Sequence, residues 1–158
     1  MKQFLKFWCF FLWISNIVFA QNKDSLLSIA KNQNLNNSQR INAYIELNNY
    51  YIQNDDTNGI RYAKEAVTLA SEMNNEEKLA DCINNLAILL LIAQDYSQSM
   101  KELKKAEEIL KKIDPFHPHL MDTYNSLQIV FTQDKQPEKG ITYIDKYLEI
   151  LEKKNIQD

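Results

Sequence analysis

Three eight-residue stretches of the sequence superimpose: Tyr44-Ile-Glu-Leu-Asn-Asn-Tyr-Tyr51, Ile83-Asn-Asn-Leu-Ala-Ile-Leu-Leu90 and Tyr124-Asn-Ser-Leu-Gln-Ile-Val-Phe131. Each carries a large residue, a leucine three positions on and a large apolar residue four further: Tyr44/Leu47/Tyr51, Ile83/Leu86/Leu90 and Tyr124/Leu127/Phe131. Steps of three and four lay these residues along one face of an α-helix. After each stretch come a turn and a second helical segment that opens on a small residue followed by an apolar one: Gly59-Ile60, Ser99-Met100 and Gly140-Ile141. The small residues are 40 and 41 positions apart, and Ala63, Leu103 and Ile144, then Ala66, Ala106 and Tyr147, follow in register. One helical hairpin cannot bury both of its faces, so a repeat of this length calls for stacked hairpins.

The scarcity of chain-breakers agrees. With Gly 2 and Pro 3, the chain lacks the turn residues that a sandwich, barrel or Rossmann sheet of this length demands. Gly59 and Gly140 stand too far apart for any glycine-rich phosphate loop. Periodicity predicts helices near 24–33, 39–53, 58–74, 77–93, 97–113, 118–133 and 137–154. Where antiparallel helices cross closely only small side chains fit, and Gly59, Ala66, Ala87, Ser99, Ala106 and Gly140 are the candidates.

Residues 1–20 read differently. Lys2 and Lys6 precede an apolar run ending Val18-Phe19-Ala20, and the segment holds both Trp and five of the seven Phe. This is the layout of a secretory signal, with cleavage expected after Ala20 and a periplasmic or secreted chain beyond it. Lys6 and Ser15-Asn16 interrupt the run short of the ~20 apolar residues a span needs, so membrane attachment is expected only if the signal stays uncleaved. Cys9 lies inside the run behind Phe7-Trp8, a poor place for a lipid-modified cysteine. Residues 21–158 carry 16 Lys+Arg against 21 Asp+Glu, which argues against nucleic acid as a partner. Cys82 is the one cysteine of this part and its apolar helix favours burial.

The stretch Ile83-Asn-Asn-Leu-Ala-Ile-Leu-Leu-Leu-Ile-Ala-Gln-Asp-Tyr-Ser-Gln-Ser99 resembles the tetratricopeptide repeat (TPR) family. His117-Pro118-His119-Leu120 with Tyr124-Asn125-Ser126-Leu127 is similar to the longer variant of that repeat, which also matches the spacing of 40–41. The resemblance covers residues 40–154. It implies an all-α fold: an α-solenoid of three TPR-like hairpins (about 40–75, 79–114 and 118–154) within a domain 21–158, with the helix near 24–33 as an N-terminal cap. Asn48 and Gln128 depart from the small residue the family prefers, Tyr147 replaces an alanine, and the first repeat needs a one-residue gap near Asp55-Asp56. Asp24-Ser-Leu-Leu with Arg40-Ile41 also resembles the start of envelope TPR regions on bacterial sensor kinases and regulators. The sequence ends at Asp158, so signalling through an output domain of its own is not expected.

Candidate chemistry is thin. His117 and His119 flank Pro118, two imidazoles without the further ligands a zinc site requires, and they read better as the lead-in to a helix starting at Pro118. Pro137 is expected to start the last helix in the same way. The pairs Glu76-Glu77 and Glu107-Glu108 read as a helix start and a solvated, lysine-rich helix face. No nucleophile–base pair can be assembled, so neither catalysis, nor a metal, nor a cofactor is expected.

By resemblance, the first helix of each hairpin lines a concave surface. The residues stepping toward it are Asn42, Ile45, Glu46, Asn49 and Ile52; Asp81, Asn84, Asn85, Ile88 and Leu91; Asp122, Asn125, Ser126, Ile129 and Thr132. Asn42, Ile45, Asn49, Asn84, Asn85, Ile88, Leu91, Asn125 and Ile129 are the candidates for binding. Asparagine both donates to and accepts from a peptide backbone, while the apolar members suit apolar side chains. The set contains no cation, which argues against clamping of a C-terminal carboxylate. The function expected is a non-enzymatic protein–protein interaction module that grips a peptide segment or partner protein. The alternatives are a structural protein that self-associates, as a homodimer, through a last helix leaving Leu148 and Leu151 exposed, or an accessory subunit of an envelope signalling system.

Overall fold

A computed structural model describes residues 23–157, so the signal-like segment 1–20 lies outside the described residues. Seven helices occur within them, with no strand: α1 (residues 23–31), α2 (Asn37–Gln53), α3 (Gly59–Ser71), α4 (Glu76–Ile92), α5 (Tyr96–Ile113), α6 (Leu120–Gln133) and α7 (Pro137–Gln157). Polar punctuation sets the starts. Asn36 accepts from the Gln39 N–H while the Gln39 side chain reaches back to the Asn36 N–H, closing a capping box on α2. Asn75 caps α4 through the Lys78 N–H, and Asp95 caps α5 through the Gln98 N–H. Pro137 opens α7 as expected, but α6 starts at Leu120 rather than Pro118. Bonds from the Leu120 N–H to the His117 carbonyl and from the Met121 N–H to the Pro118 carbonyl make a tighter lead-in turn before the helix proper.

Helices α2/α3, α4/α5 and α6/α7 pair as hairpins, and one backbone device ends the first helix of each. Asp55, Gln94 and Lys135 adopt φ of 49°, 60° and 60°. The N–H of the next residue then donates to the carbonyl five back: Asp56 to Tyr51 at 2.9 Å, Asp95 to Leu90 at 2.9 Å and Gln136 to Phe131 at 2.8 Å. Such a left-handed closure usually falls on glycine; here three ordinary residues carry it. The expected one-residue gap falls just after it, since Gly59 follows Asp55 more closely than Ser99 follows Gln94 or Gly140 follows Lys135.

The crossings lie where small residues were expected. Ala66, Ala87, Ser99 and Ala106 are completely buried, and the Ser99 hydroxyl donates to the Ala87 carbonyl at 2.7 Å. A Cβ on Gly59 would stand 2.5 Å from the Tyr51 Cβ, and one on Gly140 would stand 3.1 Å from the Gln128 carbonyl. Stacking of the hairpins builds two apolar clusters. The first is built on Ile41, Leu47, Ala63, Ala66 and Leu89, the second on Leu103, Leu110, Leu120, Leu127 and Val130. Helix α1 closes the first: Ala30 is buried, Leu26 and Leu27 pack against the cluster, and Arg40 Nε donates to the Ala30 carbonyl at 3.0 Å.

Two departures from the repeat have consequences. Asn48 is completely buried and neither atom of its amide has a hydrogen-bond partner. Glu107 is not on the solvated face expected of it. It is buried between α5 and α7, 2.9 Å from Lys104 Nζ and 3.3 Å from Lys146 Nζ, and Lys104 also bonds the Tyr143 hydroxyl. Burial alone opposes the Glu107 charge, but the two lysines outweigh it and hold the carboxyl below its usual range. Burial and then the Glu107 charge push the Tyr124 phenol up to about 12. The pair therefore works as a structural tie between hairpins two and three.

Candidate functional site: a groove across the first helices

Helices α2, α4 and α6 line a concave groove enclosing about 510 Å³. Asn42, Ile45, Glu46 and Asn49 come from α2, Lys78, Asp81, Asn84, Asn85 and Ile88 from α4, and Asp122, Asn125 and Ser126 from α6. These are the residues one step round each helix from the packed stripe, which itself turns into the core; they range from exposed Asn42 and Asn49 to buried Asn84 and Ser126. Seven of the nine binding candidates meet here. Leu91 and Ile129 do not line the groove: Leu91 is half-buried against the second apolar cluster, and both lie nearer the C-terminal ends of their helices. Ile52 and Thr132 are outside it for the same reason of position, and Ile52 packs on the first cluster.

The wall also corrects the expectation of a groove without a cation. Lys78 lines it, one turn ahead of Asp81, with Nζ 3.9 Å from the Asp81 carboxylate. The signal was the spacing itself, because counting back three from Asp81 reaches Lys78 on the same face. With Glu46, Asp81 and Asp122 against one lysine, the lining is negative.

The groove's far side is held by the histidines. His119 Nδ1 lies 2.8 Å from Asp81 Oδ1, and the Nε2 atoms of His119 and His117 lie 3.7 and 3.9 Å from Glu77 Oε1. This strap joins the start of α4 to the start of α6. Among the described residues no group of three or more His, Cys, Asp or Glu side chains is arranged to hold a metal ion. Asn84, although in the lining, is buried and its Nδ2 donates to the Thr123 hydroxyl at 3.0 Å, so its amide is already engaged across the repeat junction. Asn42, Asn49 and Asn125 are exposed and Asn85 half-buried, which leaves four amides presented along the groove. Cys82 is buried, and burial pushes its thiol up to about 12, so it is no nucleophile.

No family model and no curated protein matches the sequence. Among solved structures, the chain is similar to the TPR domain of Arabidopsis FLU, at 16% identity and a TM-score of 0.67. The match covers 75% of this chain and 99% of the other. The fold is that of a TPR domain. In TPR terms α2/α3, α4/α5 and α6/α7 are three successive repeats and the groove is the concave face made by their first helices. The expected α-solenoid is thus present, with α1 folded over its first repeat.

Proposed function

We propose that this TPR domain is a protein–protein interaction module whose concave groove takes a segment of a partner protein. The observation that carries the reading is the groove lining. All three of the groove's helices present amides to it, Asn42 and Asn49 from α2, Asn85 from α4 and Asn125 from α6, and Ile45 and Ile88 line it with them. Primary amides donate and accept together, which suits both groups of an extended peptide backbone. The isoleucines offer apolar contact, and Glu46 and Asp122 favour a segment carrying lysine or arginine. The reading is of a non-catalytic role, in keeping with the likeness to a TPR domain. The signal-like residues 1–20 support a periplasmic or secreted setting for this binding.

The test is a comparison of two baits. The chain and its Asn49→Ala/Ile88→Lys variant are immobilised and exposed to envelope extract, with circular dichroism used to confirm equal helicity. A partner held by the first and lost by the second is the expected result; equal retention overturns the groove assignment. Sequencing the N-terminus of the exported protein checks the setting, and a start at Gln21 is expected.

A further inference from the structure

The last repeat ends on a face that the earlier repeats cover. Ala63 and Ala70 in α3, and Leu103 and Leu110 in α5, are completely buried beneath the following hairpin. Their counterparts on α7 are Ile144 and Leu151, which with Ile141 and Leu148 form one apolar stripe spaced three, four and three. That spacing is a two-heptad seam of the kind one helix presents to another. Ile141, Ile144 and Leu148 are 57%, 42% and 47% exposed, three of the five exposed large apolar side chains among the described residues. A cleft of about 270 Å³ runs beside the seam between α6 and α7, walled by Tyr124, Gln128, Ile144 and Tyr147.

Two observations say what fits there. Ala66 and Ala106 are the small residues over which the next hairpin crosses, and Tyr147 fills that position in α7, so a further hairpin cannot seat as closely as the first two do. The charges of α7 are also sorted. On one flank Lys139 lies over Phe131, Lys146 pairs with Glu107 and Lys153 lies over Phe116. On the other flank, bordering the seam, Glu138, Asp145 and Glu152 recur every seventh residue, all exposed and without an ion pair among the described residues.

We propose that this seam and its acidic row dock an amphipathic helix of a partner protein, its apolar stripe flanked by lysine or arginine. The row supplies the charge complementarity and the seam the anchors at i, i+3 and i+7. Antiparallel pairing with a second copy of α7 would set Asp145 near its own two-fold image, like charge against like.

The probe is a synthetic amphipathic helix with Leu at its heptad core positions and Lys at the flanking ones. Its controls are the same peptide with Glu flanks and a scrambled peptide. The full chain should bind the Lys-flanked peptide at least roughly tenfold tighter than the Glu-flanked one. Asp145→Lys/Glu152→Lys should invert that preference, and Ile144→Asp/Leu148→Asp should lose both peptides. All four positions are exposed, so these variants keep the fold. Asn49→Ala/Ile88→Lys should bind as the parent does, which separates this surface from the concave groove. Equal affinity for the two flanks, or binding that survives Ile144→Asp/Leu148→Asp, overturns the proposal. So does a sedimenting dimer of the parent chain that the same variant returns to monomer.

Discussion

Leu103 and Ile144 hold the same place in the second helices of successive repeats, yet Leu103 is completely buried and Ile144 is 42% exposed. Nothing about isoleucine explains the difference, because it is at least as apolar as leucine. Helix α6 lies over α5, and no helix among the described residues lies over α7. In a solenoid the neighbour decides the burial of a residue, and each repeat borrows half its core from the next.

The comparison breaks most visibly by truncation. Leu103→Ala should cost about 2–5 kcal/mol in urea denaturation, since it opens a cavity in a packed core. Ile144→Ala should cost under about 1 kcal/mol, because a half-exposed side chain has little burial to lose. Equal costs would mean that α7 is covered in solution. A second contrast lies at the crossings. Gly59→Ala drives a Cβ to 2.5 Å from Tyr51 Cβ and should cost about 1–3 kcal/mol by the same measurement, despite alanine's better helix propensity. Gly140→Ala meets the Gln128 carbonyl at 3.1 Å and Thr132 Oγ1 at 3.4 Å, and a shift of a few tenths of an ångström leaves it within about 1 kcal/mol of neutral.

Smaller effects should run the other way. Asn48 occupies the place that Ala87 takes one repeat later, and its buried amide has no partner. Asn48→Ala removes that desolvation penalty and should stabilise the chain by about 1 kcal/mol, raising the thermal midpoint by roughly 3–5 °C. Gln128, its half-buried counterpart in the third repeat, should respond little to the same change. The smallest gain belongs to the turns. Gln94→Gly relieves a side chain held at φ 60° and should add about 0.5–1 kcal/mol, part of the relief being offset by the freer unfolded chain.

Much of this molecule was legible before any coordinates. The helices fall within a few residues of their expected spans because helical periodicity is written locally, in side chains three and four apart. The largest differences are at helix ends: α3 stops at Ser71 rather than 74, α7 runs on to Gln157 rather than 154, and α6 waits for the lead-in turn after Pro118. Eleven of the twelve groove-lining residues were legible for the same reason, being one helical step from the stripe. Lys78 was missed because the stripe was started a turn late. Leu91 and Ile129 fall outside the lining because periodicity says which side of a helix a residue faces and not how far along it a groove extends.

Glu107 and Asn48 show the remaining limit. Glu107 sits among lysines in the sequence and reads as solvent-facing, but the lysine that completes its burial, Lys146, comes from another repeat. Asn48 reads as a departure from the repeat, and only the packing reveals that its amide is orphaned. The sequence by itself determined the secondary structure, the hairpin register and the identity of the small crossing residues, since each depends on spacings within one or two helical turns. The tertiary structure decided which apolar faces are covered, which charges are paired and how far the groove runs, because those depend on contacts between repeats some forty residues apart.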